Sequence, residues 1–301
     1  MQHCRTDNRE ARRTGRRSIG GERARAARGR PTVAAVALVV LALAGCASQE
    51  PPPPTFTGFI QAQTAPVEPW SPYPGVTARR LSVDEFTGRS AIHLSVPLGW
   101  RWTGMVNAAF TREWYVLEGR VQAGERQLQG GDLLYVPRGA QPPSITAVRP
   151  AKMLVFTDPA DPASELGQIF VASARSLPWR PGTVARDAGV ALDLSVKDLK
   201  NDPGTGARTW LVKIGPGVEV PWESHSVVEE GYLLEGDYRL SECLPEGRKD
   251  GDYLPGGYFR RPANWIHSGP DSGTDGGAVW LMRSPGALDV TFHDACRPPA
   301  R

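Results

Sequence analysis

Two linked stretches decide the fold: GVEVPWESHSVVEEGYLLEG at Gly217–Gly236 and GGYFRRPANWIH at Gly256–His267. Side chains two apart in a β-strand share a face. Glu223, His225 and Glu229 therefore carry one parity and project together if the strand is regular. His267 arrives from the second stretch, which starts with Gly256 and passes Pro262. Two carboxylates and two imidazoles converging on one side of a sheet make a candidate site for a divalent metal. The competing explanation is a β-barrel core in which the same polar side chains hydrogen-bond one another.

At these residues the sequence resembles the cupin family. The family's first motif is Gly, five residues, His-x-His, three or four residues, Glu, six residues, Gly. Here Gly217 is followed by five residues, Glu223-Ser224-His225, three residues, Glu229, six residues and Gly236. The second motif is Gly, five residues, Pro-x-Gly, two residues, His; here it reads Gly256, five residues, Pro262-Ala263-Asn264, two residues, His267. Two letters depart from the pattern. Asn264 replaces a Gly, a mild change because Asn tolerates positive φ. Glu223 replaces the first His and makes the site harder and more anionic. The resemblance implies Fe, Mn, Zn or Ni held by Glu223, His225, Glu229 and His267. Glu223 also has a second reading, as an unligated general base beside a three-ligand metal.

The repeat inside the chain extends the same architecture to its first half. Glu113-Trp114-Tyr115-Val116-Leu117-Glu118-Gly119 matches Glu230-Gly231-Tyr232-Leu233-Leu234-Glu235-Gly236, and Gly131, Pro137 and Gly139 take second-motif positions. The ligand positions there fall on Val106, Ala108, Arg112 and Pro142, none a good ligand. The first half reads as a cupin without a metal. Trp100, Trp102, Val106, Ala108 and Phe110 share a parity that would line an apolar interior. Glu113 and Glu230 correspond to each other and oppose Glu229 in parity, so both read as structural or outward-facing. A β-bulge would reverse that assignment.

Residues 1–45 read as an export signal. They hold ten Arg, then an apolar run from Val33 to Ala44, shorter than the ~20 residues that span a bilayer. Leu43-Ala44-Gly45-Cys46 resembles a bacterial lipobox, which implies lipidation of Cys46 and a membrane anchor. The length of the basic part leaves the start codon open. The segment's ten Arg against three acidic residues make +7 of the chain's net +3, so the rest carries −4. A nucleic-acid partner therefore lacks electrostatic support. Residues 46–78, with Pro51–Pro54, Pro66, Pro69, Pro72 and Pro74, read as a semi-extended tether.

Residues 79–172 and 173–301 are then the two barrels, the second carrying the metal. The order Val196-Lys197-Asp198-Leu199, turn, Thr205-Gly206, Thr209-Trp210-Leu211, motif is similar to the double-cupin family called domain of unknown function 4437. Trp222, Tyr258, Phe259 and Trp265 lie near the motif in sequence. An Arg260 or Arg261 facing the barrel mouth could hold a substrate carboxylate; a surface or salt-bridging role is the plainer reading, and parity does not choose between the two. His93 reads as a strand-surface or core histidine. Cys243 and Cys296 are the pair left to form a disulfide in an oxidising compartment, and spacing alone does not say that they meet.

The expected fold is all-β, two tandem cupin barrels. The expected function is a metal-dependent enzyme of dioxygenase or isomerase type on a small molecule. The alternatives are a non-enzymatic metal or small-ligand binding or sensor lipoprotein of the cell envelope, and an envelope protein with a vestigial site. The resemblance to cupins also implies pairing of two copies through edge strands.

Overall fold

Gly and Pro cut the sequence into short segments, and each becomes a strand. The computed structural model describes residues 55–104, 108–182 and 194–298, and among these it contains no helix. The strands are β1 (Thr57–Gln61), β2 (Val67–Glu68), β3 (Thr77–Val83), β4 (Ser90–Val96), β5 (Arg101–Trp102), β6 (Phe110–Ala123), β7 (Arg126–Gln129), β8 (Asp132–Val136), β9 (Ile145–Pro159) and β10 (Phe170–Ser173). They continue as β11 (Arg180–Pro181), β12 (Leu194–Asn201), β13 (Arg208–Ile214), β14 (Glu223–Ser224), β15 (Glu229–Gly236), β16 (Tyr238–Leu244), β17 (Gly247–Tyr253), β18 (Gly257–Arg261), β19 (Ala278–Ser284) and β20 (Thr291–Phe292).

One sheet runs β10-β8-β6-β9-β4-β3-β2, with β5 added on β9 and β7 on β6. A second runs β1-β18-β15-β19-β13-β12-β11. Two small sheets, β14-β20 and β16-β17, complete the second half. Single bridges from His267 to Glu223 and to Glu242 join them into one layer. Each half thus closes on its own apolar interior: Ile92, Leu94, Trp114 and Val155 in the first, and Trp210, Leu233, Phe259 and Trp280 in the second.

A third cluster, including Leu81, Tyr115, Leu133, Phe156, Leu211, Tyr232, Tyr258 and Leu281, lies between the halves. This explains why β8 reads as a nearly continuous apolar run and why β4 is buried almost throughout. Both of their faces are covered: Ile92 and Leu134 face the first interior, and Ala91 and Leu133 face the other half. The sequence repeat appears as a shared backbone device. Gly119 and Gly236 have φ of 80° and 79°, and a Cβ at either would collide with a backbone carbonyl, that of Pro150 or of Gly277. Only Gly serves both demands.

The inter-barrel face also holds the ions that the repeat predicted to point outward. Arg283 reaches Glu230, Glu113 (3.1 Å) and Asp158 (2.5 Å). Lys200 pairs with Glu113 at 2.5 Å, and the Thr209 hydroxyl donates to the same carboxylate. Burial pushes the Glu113 and Asp158 carboxyls up, but the facing cations, Arg283 first, outweigh it and hold each at about 2. Glu113 and Glu230 therefore point away from their own barrels and into the seam between them.

Two expectations are corrected. Residues from Thr57 onward are not an unpacked tether. β1 pairs with β18, and the half-buried Phe59 stacks on Tyr253 with ring centroids 5.4 Å apart, against the second half's core. The stretch between Pro54 and Pro66 contains no proline, so it keeps the N–H groups a sheet edge needs. The prolines beyond it are exposed, but two of them are held through their carbonyls: the indoles of Trp100 and Trp102 donate to Pro74 and Pro72, each at 2.9 Å. Secondly, the parity series from Trp100 breaks. Trp102 is core, Ala108 is exposed and Phe110 only half-buried; β5 ends at Trp102 and β6 starts at Phe110. Val106, Cys46, the signal segment 1–45 and Pro51–Pro54 lie outside the described residues.

Candidate metal centre

The centre forms where the small layer of the second half faces its large sheet. The small layer supplies Glu223 from β14, His267 bridged beside it, and Glu242 from β16 on His267's other side. The large sheet supplies Glu229 and Arg261, which are direct cross-strand partners on β15 and β18. His225 follows β14.

The unbroken strand assumed in the parity argument does not exist. β14 ends at Ser224 and β15 starts at Glu229, so Glu223 and Glu229 sit on facing layers. They converge because the chain folds back between them, not because they share a strand face. Asn264 takes φ 66° at the position of the motif Gly, and its N–H donates to the His225 carbonyl at 2.7 Å.

All four residues picked from the motif meet at one place. Ligand atoms of Glu223, His225 and His267 lie within 4.8 Å of one another. His267 Nε2 is 3.5 Å from Glu223 Oε1 and 3.7 Å from Glu229 Oε2, and His225 Nε2 is 3.6 Å from Glu229 Oε1. Donors around one ion with bonds of about 2.1 Å stand at spacings of this order. Glu229 differs from the other three in being tied by Arg261 through Oε2.

The imidazoles are set for metal by their other nitrogens. His225 Nδ1 lies 2.6 Å from the Asp289 carbonyl, and His267 Nδ1 lies 3.2 Å from that of Trp265. A carbonyl only accepts, so each Nδ1 carries the hydrogen, and in the neutral ring Nε2 is then the lone pair that faces the carboxylates. His225 Nε2 is buried with no hydrogen-bond partner, which a purely hydrogen-bonded core would not leave. Burial holds the His267 pKa well below its ordinary value, Arg261 adding to the effect against Glu229. The ring is therefore neutral, the state a metal requires. Burial pushes the Glu223 carboxyl up, against His225 and Arg261.

Sequence reasoning missed the charge balance here. Arg261 is 1 % exposed and Glu242 fully buried. Arg261 donates through Nε (2.8 Å) and Nη2 (2.5 Å) to Glu242, and through Nη1 to Glu229. Burial pulls the Arg261 pKa down, but Glu242 and Glu229 more than restore it. Burial pushes Glu242 up in spite of Arg261. Three carboxyl groups (Glu223, Glu229 and Glu242) and one guanidinium, counted at their formal charges, give −2, the complement of a divalent cation. The signal in the sequence was Glu242 itself, a carboxylate at the interior parity of Tyr238-x-Leu240-x-Glu242.

The other neighbours divide cleanly. Phe259 joins Val196, Trp210, Leu240, Trp280 and Met282 in walling a cavity of about 150 Å3 beside the four motif residues. Tyr258 faces the other half and donates to Glu230. Trp222 packs with Cys243, Ile266 and Cys296. Cys243 and Cys296 are joined in a disulfide, Cα atoms 5.6 Å apart. It fastens the segment that pairs β20 with β14, offers the Asp289 carbonyl to His225, and binds Ser226 N–H through Asp289 Oδ1 at 2.7 Å. His93 is buried in β4, and burial, then Arg79 and Lys152, push its pKa down to about 4.

Comparison with solved structures gives the fold a context. A protein of Nostoc punctiforme described as a "putative dioxygenase" superposes with TM-score 0.62 at 19% identity, over 80% of this chain and 87% of that one. Protein YlbA of E. coli gives TM-score 0.57 at 13% identity, over 75% and 89%. The oxalate decarboxylase of Bacillus subtilis, described with Mn(II) centres, gives 0.51 at 15%, over 77% and 78%. At such identities the likeness shows a cupin fold and nothing about substrate. No curated protein matches this sequence. The family described as domain of unknown function (DUF4437) matches residues 61–291, more than half of the sequence, and the chain belongs to that family.

Proposed function

We propose that this chain is a divalent-metal enzyme of dioxygenase or isomerase type, acting on a small and largely apolar molecule. The observation that carries the reading is the pair of imidazoles with Nδ1 tied to backbone carbonyls and Nε2 turned toward Glu223. Two His and one carboxylate with open positions is a donor set used for redox and Lewis-acid chemistry. A divalent cation bound there supplies polarisation of a substrate oxygen. The chain's own contribution is positional. Arg261 holds Glu229 in place, the apolar wall excludes water, and the cavity of about 150 Å3 limits the substrate to a few heavy atoms near the centre. The likeness to a "putative dioxygenase" and to a decarboxylase with Mn(II) centres supports this class.

The test is turnover. Protein loaded separately with Fe, Mn, Zn and Ni is incubated with small carboxylic acids, phenols and sugars, with and without O2, and products are read by mass spectrometry. Metal-dependent turnover supports the reading; stoichiometric ligand binding without product in every metal form replaces it with a binding protein. Glu223→Gln assigns the carboxylate. Metal retained with turnover lost makes Glu223 the proton-transfer group; loss of both makes it a ligand.

We also read the protein as exported and anchored through Cys46. The Cys243–Cys296 disulfide supports an oxidising compartment. Fractionation of cells carrying the natural chain tests it: lipid-bearing protein in the membrane fraction, lost in Cys46→Ser, is the expected result.

A further inference from the structure

The cavity beside the metal centre has a cation at its rim that the cupin motifs do not supply. Among the described residues that line it, Arg261 and Arg208 are the only permanent cations. Arg261 is taken up by Glu242 and Glu229. Arg208 has a different setting. It opens β13 and shares the parity of Trp210 and Val212, which face the second interior. Its place relative to the centre follows from strand register. Arg283 on β19 pairs with Thr209 on one side and with Glu230 on the other. The next residue, Ser284, pairs with Arg208 and so stands between Arg208 and Glu229. Arg208 and Glu229 thus lie in one row on one face of the sheet, two strands apart, roughly 10 Å at the backbone.

The charge of Arg208 is not cancelled. Its Nε donates to Asp198 Oδ1 at 2.6 Å, and Nη2 reaches the same oxygen. The other oxygen, Oδ2, is taken by Arg180. Two guanidiniums on one carboxylate leave a formal +1. Nη1 of Arg208 has no hydrogen-bond partner among the described residues. The Arg180 side chain is 59 % exposed and that of Arg208 24 %, so water screens Arg180 far more. Trp210 supports the Arg208 guanidinium, with Cζ 4.8 Å from the ring centroid. Burial, then Arg180, lower the Arg208 pKa, but a guanidinium stays protonated in a protein.

We propose that Arg208 anchors the substrate of the second barrel and that this substrate is a small apolar monocarboxylate, its carboxylate on Arg208 and its other end at Glu223, His225 and His267. The proposal rests on reading that cluster as the reaction site. The walls between the two ends are apolar, and the space is about 150 Å3. An apolar cavity of that order accepts a benzene-sized body, so a short chain or a single ring fits. The single excess charge at the rim matches a carboxylate better than a phosphate dianion. A neutral analogue of the same shape gains nothing from Arg208, so the arginine sets specificity as well as orientation.

The experiment is calorimetric titration of the intact, disulfide-bonded protein, zinc-loaded and metal-free, with butyrate, hexanoate and benzoate, and with benzamide as the neutral counterpart. Saturable binding of at least one carboxylate is expected. Arg208→Met raises its Kd at least about tenfold, the low end for one hydrogen bond to a charge, and leaves zinc content and the response to benzamide unchanged. Arg180→Met removes an exposed residue outside the cavity and returns Asp198 wholly to Arg208. It weakens the same acid by a smaller factor. Flat titrations with all three acids in both forms overturn the proposal, as does a wild-type Kd in Arg208→Met. Should Arg208→Met not fold, Arg180→Met decides alone, and an unchanged Kd there overturns the proposal. Failure to hold zinc, or to turn over any substrate, counts against the metal-enzyme reading; the dependence of acid affinity on Arg208 is then read in the metal-free protein.

Discussion

Replacing Arg261 by Met removes the one cation between two buried carboxylates. Arg261 makes three hydrogen bonds, two to Glu242 and one to Glu229, and all three side chains are buried. Breaking a buried pair by deleting one partner costs on the order of 3–5 kcal/mol, because the remaining charge is left without compensation. Burial already pushes Glu242 up, so part of the cost is relieved by its protonation, and the lower end, about 3 kcal/mol, is the expectation. In a domain of this size that is a fall of roughly 6–12 °C in Tm. Urea and thermal unfolding of metal-free protein measure it. The sign with pH follows from the same groups. Burial already raises the Glu242 carboxyl, and Arg261 is the group that opposes this, so without Arg261 it rises further above its unfolded value. The deficit is thus largest at neutral pH and shrinks as pH falls and Glu242 protonates. The double variant Arg261→Met/Glu242→Gln should recover much of the loss. A single variant within about 0.5 kcal/mol of wild type at pH 7, or a deficit indifferent to pH, would refute the charge balance described for the centre.

Three further outcomes are expected. Reduction, or Cys296→Ser, frees a closure of 53 residues; loop entropy puts the cost near 4 kcal/mol, and metal affinity, measured by calorimetry, falls because the Asp289 carbonyl no longer fixes His225. Acid unfolding followed by circular dichroism should begin below pH 4.5 and continue toward about 2, the window over which Glu113 gains the proton its depressed pKa resists; in Arg283→Met the transition moves to higher pH. Gly236→Ala should destabilise by well over the ~1 kcal/mol of a left-handed residue alone, since its Cβ meets the Gly277 carbonyl, and a neutral result in denaturant melts would mean that the turn is not held as described.

The all-β fold was legible because short β-type segments and turn residues are local in sequence; the double-cupin pattern was legible through the resemblance of the two motifs to the cupin family and through the internal repeat. The positions of His225, His267 and Glu223 were legible because motif spacing fixes which strand ends meet. The reasoning from strand parity was not sound at Glu229: a fold-back after Ser224, not an alternating strand, brings it in. Arg261 and Glu242 were harder to see. Their roles depend on which face of β18 and β16 turns inward, and on a bridge between Glu242 and His267 that no local pattern encodes. The packing of Thr57–Pro74 was hidden by its prolines, of which Pro72 and Pro74 offer their carbonyls to buried indoles. The Glu113–Arg283 network joins residues 170 positions apart, a separation at which sequence offers only the matched parity of Glu113 and Glu230.

The most direct measurement is the metal content of protein purified without chelator or affinity metal, wild type beside His225→Ala and His267→Ala. The account predicts one equivalent of a divalent metal per chain in the wild type, and its loss in both variants with the fold retained by circular dichroism. Wild-type protein that stays metal-free after reconstitution with Fe, Mn, Zn and Ni, or variants that keep the wild-type content, would contradict it.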